Sequence, residues 1–492
     1  MASASARGAA AVVGSRAPDA VVRAPGTDVA SARGAAAVVS PNAAAASVTP
    51  RAAKALVGLL LRQIRSGTLI LIDGQSRRTY GSGSPVALVR VNSPLLWPLL
   101  LRGSAGLADA YAAGLWDSPD LVAVIRIAAR NAAAVDRMRA RLAPALRPYQ
   151  QARALLRRPS RAQRRRDIAA HYDLGEQLFS RMLDRTMTYS CAVFEEEHAT
   201  LEQAQLAKLE LICRKLELGE GDRVLEIGGG WGSFALYAAR TRGCHVTTTT
   251  ISANQYAYTL EQVERRGLRD RVKVLCSDYA DLRGRYDKLV SIEMIEAVGW
   301  RRTADFLRRC ARLLEPHGAM LLQAITIDDA LYELEKSARS FIKQRIFPGG
   351  SLPSVATLVA ELARRTDLRL VGLEDLTAHY VRTLRGWRER FAANAPELER
   401  FGYDKRFRRL WELYLAYCEA GFAERRIRDV QLLLAKPACG LRSLAAGGPE
   451  AGPGRLSEPD RRPLGPAERS CQDPDRASKP QPNGHERAVG MW

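Results

Sequence analysis

"VLEIGGGWGSFALYAAR", residues 224–240, places glycine at 228, 229, 230 and 232, directly after a short apolar run. Glycine weakens strands and helices alike, so this density carries a conformational cost that only a local purpose offsets. Val224-Leu225-Glu226-Ile227 reads as a strand of a buried sheet, and Phe234 to Arg240 has helical periodicity. Strand, glycine turn and helix bring backbone close to a ligand and aim a helix N-terminus at it. The turn is neither G-x-G-x-x-G nor G-x-x-x-x-G-K-[ST], and no lysine follows it to meet a phosphate.

Outward from this turn, residues 167–437 alternate strand and helix. Strand candidates are "DRVLEIG", "HVTTTTIS", "VKVLCSD", "YDKLVSIEM" and "AMLLQAITI", with "SANQYAYTLEQVERRG" and "RTADFLRRCARLLEPHG" as the clearest helices between them. Such alternation predicts an α/β fold with a doubly wound, mostly parallel sheet, whose ligands sit at the carboxyl ends of the strands. A smaller unit precedes it at 51–135. There "GTLILIDGQSRRTYGSG" predicts a hairpin around Asp73-Gly74, "PVALVRV" another strand, and "LADAYAAGLWDSPDLVAVIRIAARN" helices broken at Asp117-Ser118-Pro119.

The remaining segments are polar or of low complexity. Residues 1–50 repeat "SARGAAAVV" at 5–13 and 31–39 and lack the bulky side chains a core needs, so disorder is expected, with a transit peptide as the other reading. The tail, 438–492, is also expected to be disordered. Residues 136–166 form a basic linker: eleven arginines and no acid fall between Arg137 and Arg166. With a net charge of +21 over 492 residues, this implies an anionic partner, nucleic acid or an acidic membrane surface, or else only a solvated surface, and the one-sidedness of the run favours an anionic membrane surface. No segment approaches the roughly 20 apolar residues that span a bilayer. Eight scattered cysteines without a CxxC pair predict reduced thiols in the cytoplasm and no metal, and the basic linker adds a peripheral place at the inner membrane surface.

An acid at the strand end before G-x-G-x-G suits a ligand with an amino-acid moiety, whose ammonium wants a carboxylate; S-adenosyl-L-methionine meets that description. Over most of 55–435 the chain resembles the cyclopropane-fatty-acyl-phospholipid synthases and the related mycolic acid cyclopropane synthases. The resemblance lies in "HYDLGEQLFSRMLDRTMTYSCAVF" (171–194), "VLEIGGGWG" (224–232), "TISANQ" (250–255), "YDKLVSIEMIEAVG" (286–299), "FPGGSLPS" (347–354), "HYVRTLRGW" (379–387) and "RDVQLLLAKP" (428–437). It implies a class I methyltransferase, Rossmann-like, behind a lipid-carrier-like N-terminal α+β domain. It also implies transfer of the cofactor's sulfonium methyl to the double bond of unsaturated phospholipid acyl chains. A bound bicarbonate then removes a proton from the new methyl and the cyclopropane ring closes, in a site that excludes water.

Carried onto this sequence, the resemblance assigns the cofactor to Gly228, Gly230, Gly232 and Glu226, with Tyr189 and Ser190 from a preceding loop and Thr250 and Gln255 after the second strand. Asp278 alone reads as a strand-end cap; with Tyr279 it is assigned to the adenine. For the catalytic anion the resemblance implies Cys191, Glu296, Tyr380 and Ile325, with Tyr172 as an aromatic wall for the sulfonium. Alone, Cys191 reads as a small buried side chain, and the residues themselves do not choose between Glu293 and Glu296. The family's "LLHTI" is "LLQAI" here, so Gln323 stands where histidine is expected. Glutamine bonds an anion but carries no proton at neutral pH. His379 is one residue from Tyr380 and offers a spatial substitute.

The expected product is therefore a cyclopropane chain, with a methyl- or methylene-branched chain as the alternative if proton removal has changed. A non-catalytic lipid-binding relative would show decay of the glycine turn or of Glu296, and neither is seen. A nucleic-acid methyltransferase would carry [DNS]-P-P-[YFW] after the fourth strand. The sequence has "SIEMIEAVG" there, so no nucleic acid is expected as partner. The sequence leaves the oligomeric state open, a homodimer included.

Overall fold

The computed structural model describes residues 49–133, 174–336, 338 and 340–441. The arginine stretch 137–166, Tyr172 and the two chain ends therefore lie outside the described residues. All described residues fall in one contact unit, Met1–Leu444.

The first helix, α1 (Pro50–Leu61), begins at Thr49, whose hydroxyl accepts from the Ala52 amide at 3.3 Å. β1 (Gly67–Asp73) and β2 (Ser76–Ser82) form the expected hairpin, with Asp73 paired to Ser76 across Gly74 at φ +59°. β3 (Val86–Val91) runs parallel to β1, and a two-residue strand, β4 (Trp116–Asp117), closes the sheet in the order β2-β1-β3-β4. β1 alternates buried and partly buried side chains, whereas β2 is an exposed edge. α2 (Ser104–Ala112) and α3 (Leu121–Arg130) flank β4, and the Asp120 carboxylate caps α3 by accepting from the Ala123 amide at 2.9 Å.

The second sheet has seven strands in the order β10-β11-β9-β8-β5-β6-β7. It is entered through α4 (Glu176–Met182) and α5 (Leu201–Lys215). β5 (Arg223–Ile227), α6 (Ser233–Arg242), β6 (His245–Thr250), α7 (Ala253–Arg265) and β7 (Val272–Cys276) build one half. β8 (Tyr286–Ile292), α8 (Ile295–Val298), α9 (Thr303–Leu313) and β9 (Leu314–Ile327) continue outward on the other side. β5 to β9 are parallel, as the alternating pattern predicts. Beyond α10 (Val355–Arg365) come β10 (Arg369–Asp375), α11 (Thr377–Ala393), α12 (Lys405–Ala423) and β11 (Ile427–Ala435). β11 inserts antiparallel between β9 and β10.

One expected helix is shorter than its pattern. "RTADFLRRCARLLEPHG" is helical only to Leu313, and Leu314 already has extended backbone (φ −89°, ψ 143°). Pro316 supplies no amide for a continuing helix and holds Glu315 away from helical backbone, so the segment becomes the start of β9. α11 and α12 pack together over the carboxyl end of the sheet. Their apolar faces merge with those of α2, α3, β1 and β3 into one core containing Trp116, Ile127, Trp387, Trp411 and Phe422.

Candidate active site

β5 delivers Glu226 to the carboxyl edge of the sheet, and the chain then turns through four glycines into α6. Gly230 has φ +55°, and a Cβ there would meet nothing within 4 Å, because the position faces a cavity. At Gly229 the reason is the opposite: a Cβ would lie 1.9 Å from Thr248 Oγ1. Register explains that neighbour, since Glu226 pairs with Thr248 across β5 and β6, and Glu226 Oε2 accepts from Thr248 Oγ1 at 2.6 Å. Burial raises the Glu226 carboxyl to about 7, against the bond from Thr248 and the charge of Lys208.

The cavity collects most of the sequence-assigned cofactor residues. Tyr189, Ser190, Glu226, Gly228, Gly230, Thr250, Gln255, Asp278 and Tyr279 all line it. Gly232 does not: it caps α6, and a Cβ there would strike Thr259 at 2.5 Å, so its smallness serves helix packing. Thr250 Oγ1 donates to Gln255 Oε1 at 2.7 Å, while Tyr189 shares a hydroxyl–hydroxyl bond of 2.7 Å with Tyr414. Asp278 is a cap, accepting from the Ala280 amide at 3.0 Å, and it also lines the cavity. Tyr279 stands edge-on to Phe306.

Glu293 lines the same cavity, from the residue just after β8. Its backbone is left-handed at φ +48°, which costs a non-glycine residue about 1–2 kcal/mol. Its carboxylate accepts three bonds: from the Cys191 amide at 2.7 Å and Gln323 Nε2 at 2.9 Å on Oε1, and from the Tyr380 hydroxyl at 2.5 Å on Oε2. Gln323 Nε2 donates also to Asp429 Oδ2 at 3.0 Å, and Gln323 Oε1 accepts from Gln431 Nε2 at 3.0 Å. Sheet register places these groups. Gln323 on β9 faces Gln431 on β11, Ile325 faces Asp429, and alternate residues share one face of each strand.

The cluster is short of charge compensation. Burial raises Glu293, opposed by Tyr380, the Cys191 amide, Lys208 and Gln323. Burial, then the charges of Glu293 and Glu296, push Asp429 well above the carboxylate range. Glu296 is raised to about 8 by burial and then by the charge of Glu293; its Oε1 accepts from the Ile325 amide at 2.5 Å. Glu296 Oε2 is buried without a partner among the described residues. Burial and the Glu293 charge hold Tyr380 protonated, so it donates. The Cys191 thiol is buried and likewise raised, which leaves its amide as the contact with Glu293.

The structure thus brings Cys191, Gln323 and Tyr380 together on Glu293, with Glu296 and Ile325 bonded to each other alongside. His379 does not join them. Its Nδ1 accepts from the Phe194 amide at 3.2 Å and its ring stacks on Phe194, so it does not replace the expected histidine. Three further residues belong to the site. Lys208, fully buried, donates to Ser190 Oγ at 2.7 Å and lines the cavity; Asp429 and Gln431 support Gln323. Their signal was polarity where a pattern demands apolar residues. Gln205 and Lys208 sit on the buried stripe of α5 with Leu209 and Ile212, and Asp429 and Gln431 interrupt a buried strand.

The family model for mycolic acid cyclopropane synthetase matches residues 159–432. The chain is 37% identical over 362 residues to the tuberculostearic acid methyltransferase of Mycobacterium tuberculosis, covering 72% of this chain and 84% of that protein. It is 36% identical over 362 residues to the cyclopropane-fatty-acyl-phospholipid synthase of Escherichia coli, covering 71% and 87% respectively. Among solved structures, a cyclopropane synthase from Mycobacterium tuberculosis superposes with a TM-score of 0.52 at 32% identity, over 55% of this chain and 98% of that one. A mycolic acid cyclopropane synthase solved with SAH and CTAB gives 0.52 at 30% identity, with the same coverage.

Proposed function

The chain belongs to the mycolic acid cyclopropane synthetase family, and from that premise we propose that it cyclopropanates unsaturated acyl chains of phospholipids, using S-adenosyl-L-methionine. The cavity residues fit this cofactor. The glycine turn leaves open space at Gly230, and Glu226 sets a buried carboxyl beside it for a ligand's ammonium. Bound there, the cofactor supplies an electrophilic methyl group.

The protein's own residues prepare the rest. Lys208 fixes the Ser190 hydroxyl, and Gln255 holds Thr250 at the cavity edge. Tyr189 and Trp231 line the cavity, with Phe179 packed against both and Trp387 against Tyr189, and form an aromatic wall. Such a wall excludes water and faces a positive charge with π-electron density, both of which an acyl carbocation requires. The observation that carries this reading is the continuity of the cofactor cavity with the buried acids through Glu293, which belongs to both. Mass spectrometry of lipids from cells expressing the protein tests it. A gain of one CH2 per acyl chain with ring-type fragmentation is expected, and unchanged lipids would refute it. Gln323 in place of histidine favours one second reading, a methyl- or methylene-branched product, which the same fragmentation distinguishes.

For the lipid surface we propose anionic phospholipid at the cytoplasmic face, supported by the arginines of 137–166. No helix among the described residues is long and apolar enough to cross a membrane. Liposome sedimentation should show binding to anionic but not neutral vesicles, weakening as salt rises.

A further inference from the structure

We propose that Glu293 is a built-in base, a carboxylate of the chain that takes the place of a free bicarbonate and removes the proton from the transferred carbon. This rests on the cyclopropane reading above and names the group that completes it.

Cys191, Tyr380 and the residue at 323 are the groups that the family resemblance reserves for an anion. Here the Cys191 amide, the Tyr380 hydroxyl and Gln323 Nε2 all donate to Glu293. The amide and the hydroxyl have one hydrogen each, and the two on Gln323 Nε2 are directed to Glu293 and Asp429. A bicarbonate at this place would find those donors engaged and a carboxylate facing it. The residues present therefore do not fit the anion.

Lys215 Nζ can only donate, and it reaches Gln431 Oε1 at 2.7 Å. That turns the Gln431 amide nitrogen toward Gln323 Oε1, and so turns Gln323 Nε2 toward the two carboxyls. A neutral imidazole has one N–H and could not serve both acids. Gln323 and Glu293 are thus two parts of one arrangement.

Three carboxyls crowd this place, with buried Lys208 also acting on it, and like charges cannot all be held in so dry a site. Three strong donors converge on Glu293, two of them side chains, whereas Glu296 accepts only from backbone amides among the described residues, that of Ile325 and its own. Glu293 is therefore the ionised member, and Glu296 and Asp429 hold protons. The left-handed backbone at Glu293 agrees, since strain of this kind persists where surrounding structure enforces a position.

The chemistry balances. The acyl double bond forms a new bond to the methyl carbon as that carbon's bond to sulfur breaks, leaving a neutral thioether and a cationic acyl carbon. One C–H bond of the new methyl then breaks. Its electron pair closes the ring, and its proton passes to Glu293. A carboxylate has about four acceptor positions; two are used at Oε1 and one at Oε2, so the proton goes to the remaining position on Oε2. The lipid gains CH2, and one proton is finally released.

The full-length protein, assayed in carbonate-depleted buffer with and without added bicarbonate, tests this. Wild-type ring formation should change by less than about twofold, and carbon-13 bicarbonate should show no exchange broadening on binding. Glu293→Ala should be slower by at least about 100-fold, the scale of a lost acid–base group, and should recover severalfold on adding formate or bicarbonate. Calorimetry should show that Glu293→Gln, which keeps the side chain's size in the cavity wall, binds the cofactor within about tenfold of wild type, and the same variant serves for turnover if the alanine variant does not fold. Wild-type turnover that requires bicarbonate, or a Glu293→Gln variant with near-normal turnover, would overturn the assignment. Wild type that binds the cofactor yet forms no ring under either condition would instead overturn the functional reading, and this inference with it.

Discussion

The two ends of the cavity are made of different material. Around the glycine turn the walls are largely backbone, and what matters is that side-chain atoms are missing: Gly230 leaves space, and Gly229 lets two strands' side chains meet behind it. Around Glu293 the walls are polar side chains from a loop, two strands and a helix, and what matters is the number of hydrogens each can give. The first end is specified by volume and the second by proton inventory. Changes of size should therefore damage binding, and changes of a single hydrogen should damage turnover.

The largest effect should come from filling the first end. Gly230→Trp places an indole in the open space at a left-handed φ, and cofactor affinity measured by calorimetry should fall at least about 1,000-fold, or about 4 kcal/mol. Gly230→Ala should lose far less. Unchanged affinity in the tryptophan variant would break the division outright. Next, Tyr380→Phe removes one hydrogen from the second end while keeping the ring stacked on Phe422 at 4.3 Å. Turnover should fall by about 10- to 100-fold with cofactor affinity unchanged. A parallel loss of affinity would show the two ends to be one.

A smaller effect tests the carboxyl of the first end. With Glu226 at about 7, its charged form is lost as pH falls below that value. Affinity for the cofactor's ammonium should therefore rise up to about tenfold per pH unit between 5 and 7 and level off above 8, and Glu226→Gln should flatten that rise. The smallest concerns Glu296, raised from 4.5 to about 8. A raised acid contributes stability that is fully present below 4.5 and is lost as pH rises through 8. The melting temperature should fall by a few degrees from pH 5 to 8 in wild type and by less in Glu296→Gln. An equal slope would mean that Glu296 is already ionised.

The same contrast governs what the sequence disclosed. The first end is contiguous: strand, glycines and helix follow within seventeen residues, so local pattern located the turn, and the resemblance named nine of the residues that line the cavity. The packing of Gly232 against Thr259 was not legible in that stretch, because Thr259 lies on another helix. The second end is assembled by register between β8, β9 and β11, and β11 runs antiparallel into a sheet otherwise read as parallel. Without that pairing nothing sets Gln431 against Gln323, and the choice between Glu293 and Glu296 fell to resemblance alone. Lys208 was hidden in a helix of many charges, although it lies on the apolar stripe. β10 escaped notice for a plainer reason: as an exposed edge with an irregularity at Leu370/Gly372, it lacks an apolar period.

Helix α12 has two clients. Toward the N-terminal unit, Glu412 accepts from the Tyr111 hydroxyl at 3.0 Å, and Arg409 donates to the carbonyls of Tyr111 and Trp116 at 2.6 and 2.9 Å. Just past its end, Glu424 pairs with Arg126 and Arg130. Toward the cavity, the same helix presents Tyr414 to Tyr189. The N-terminal unit is thus a buttress and not an appendage. A chain severed anywhere between 133 and 174 should stay together as a nicked particle through gel filtration, whereas residues 174–441 produced alone should expose the apolar face of α12 and aggregate.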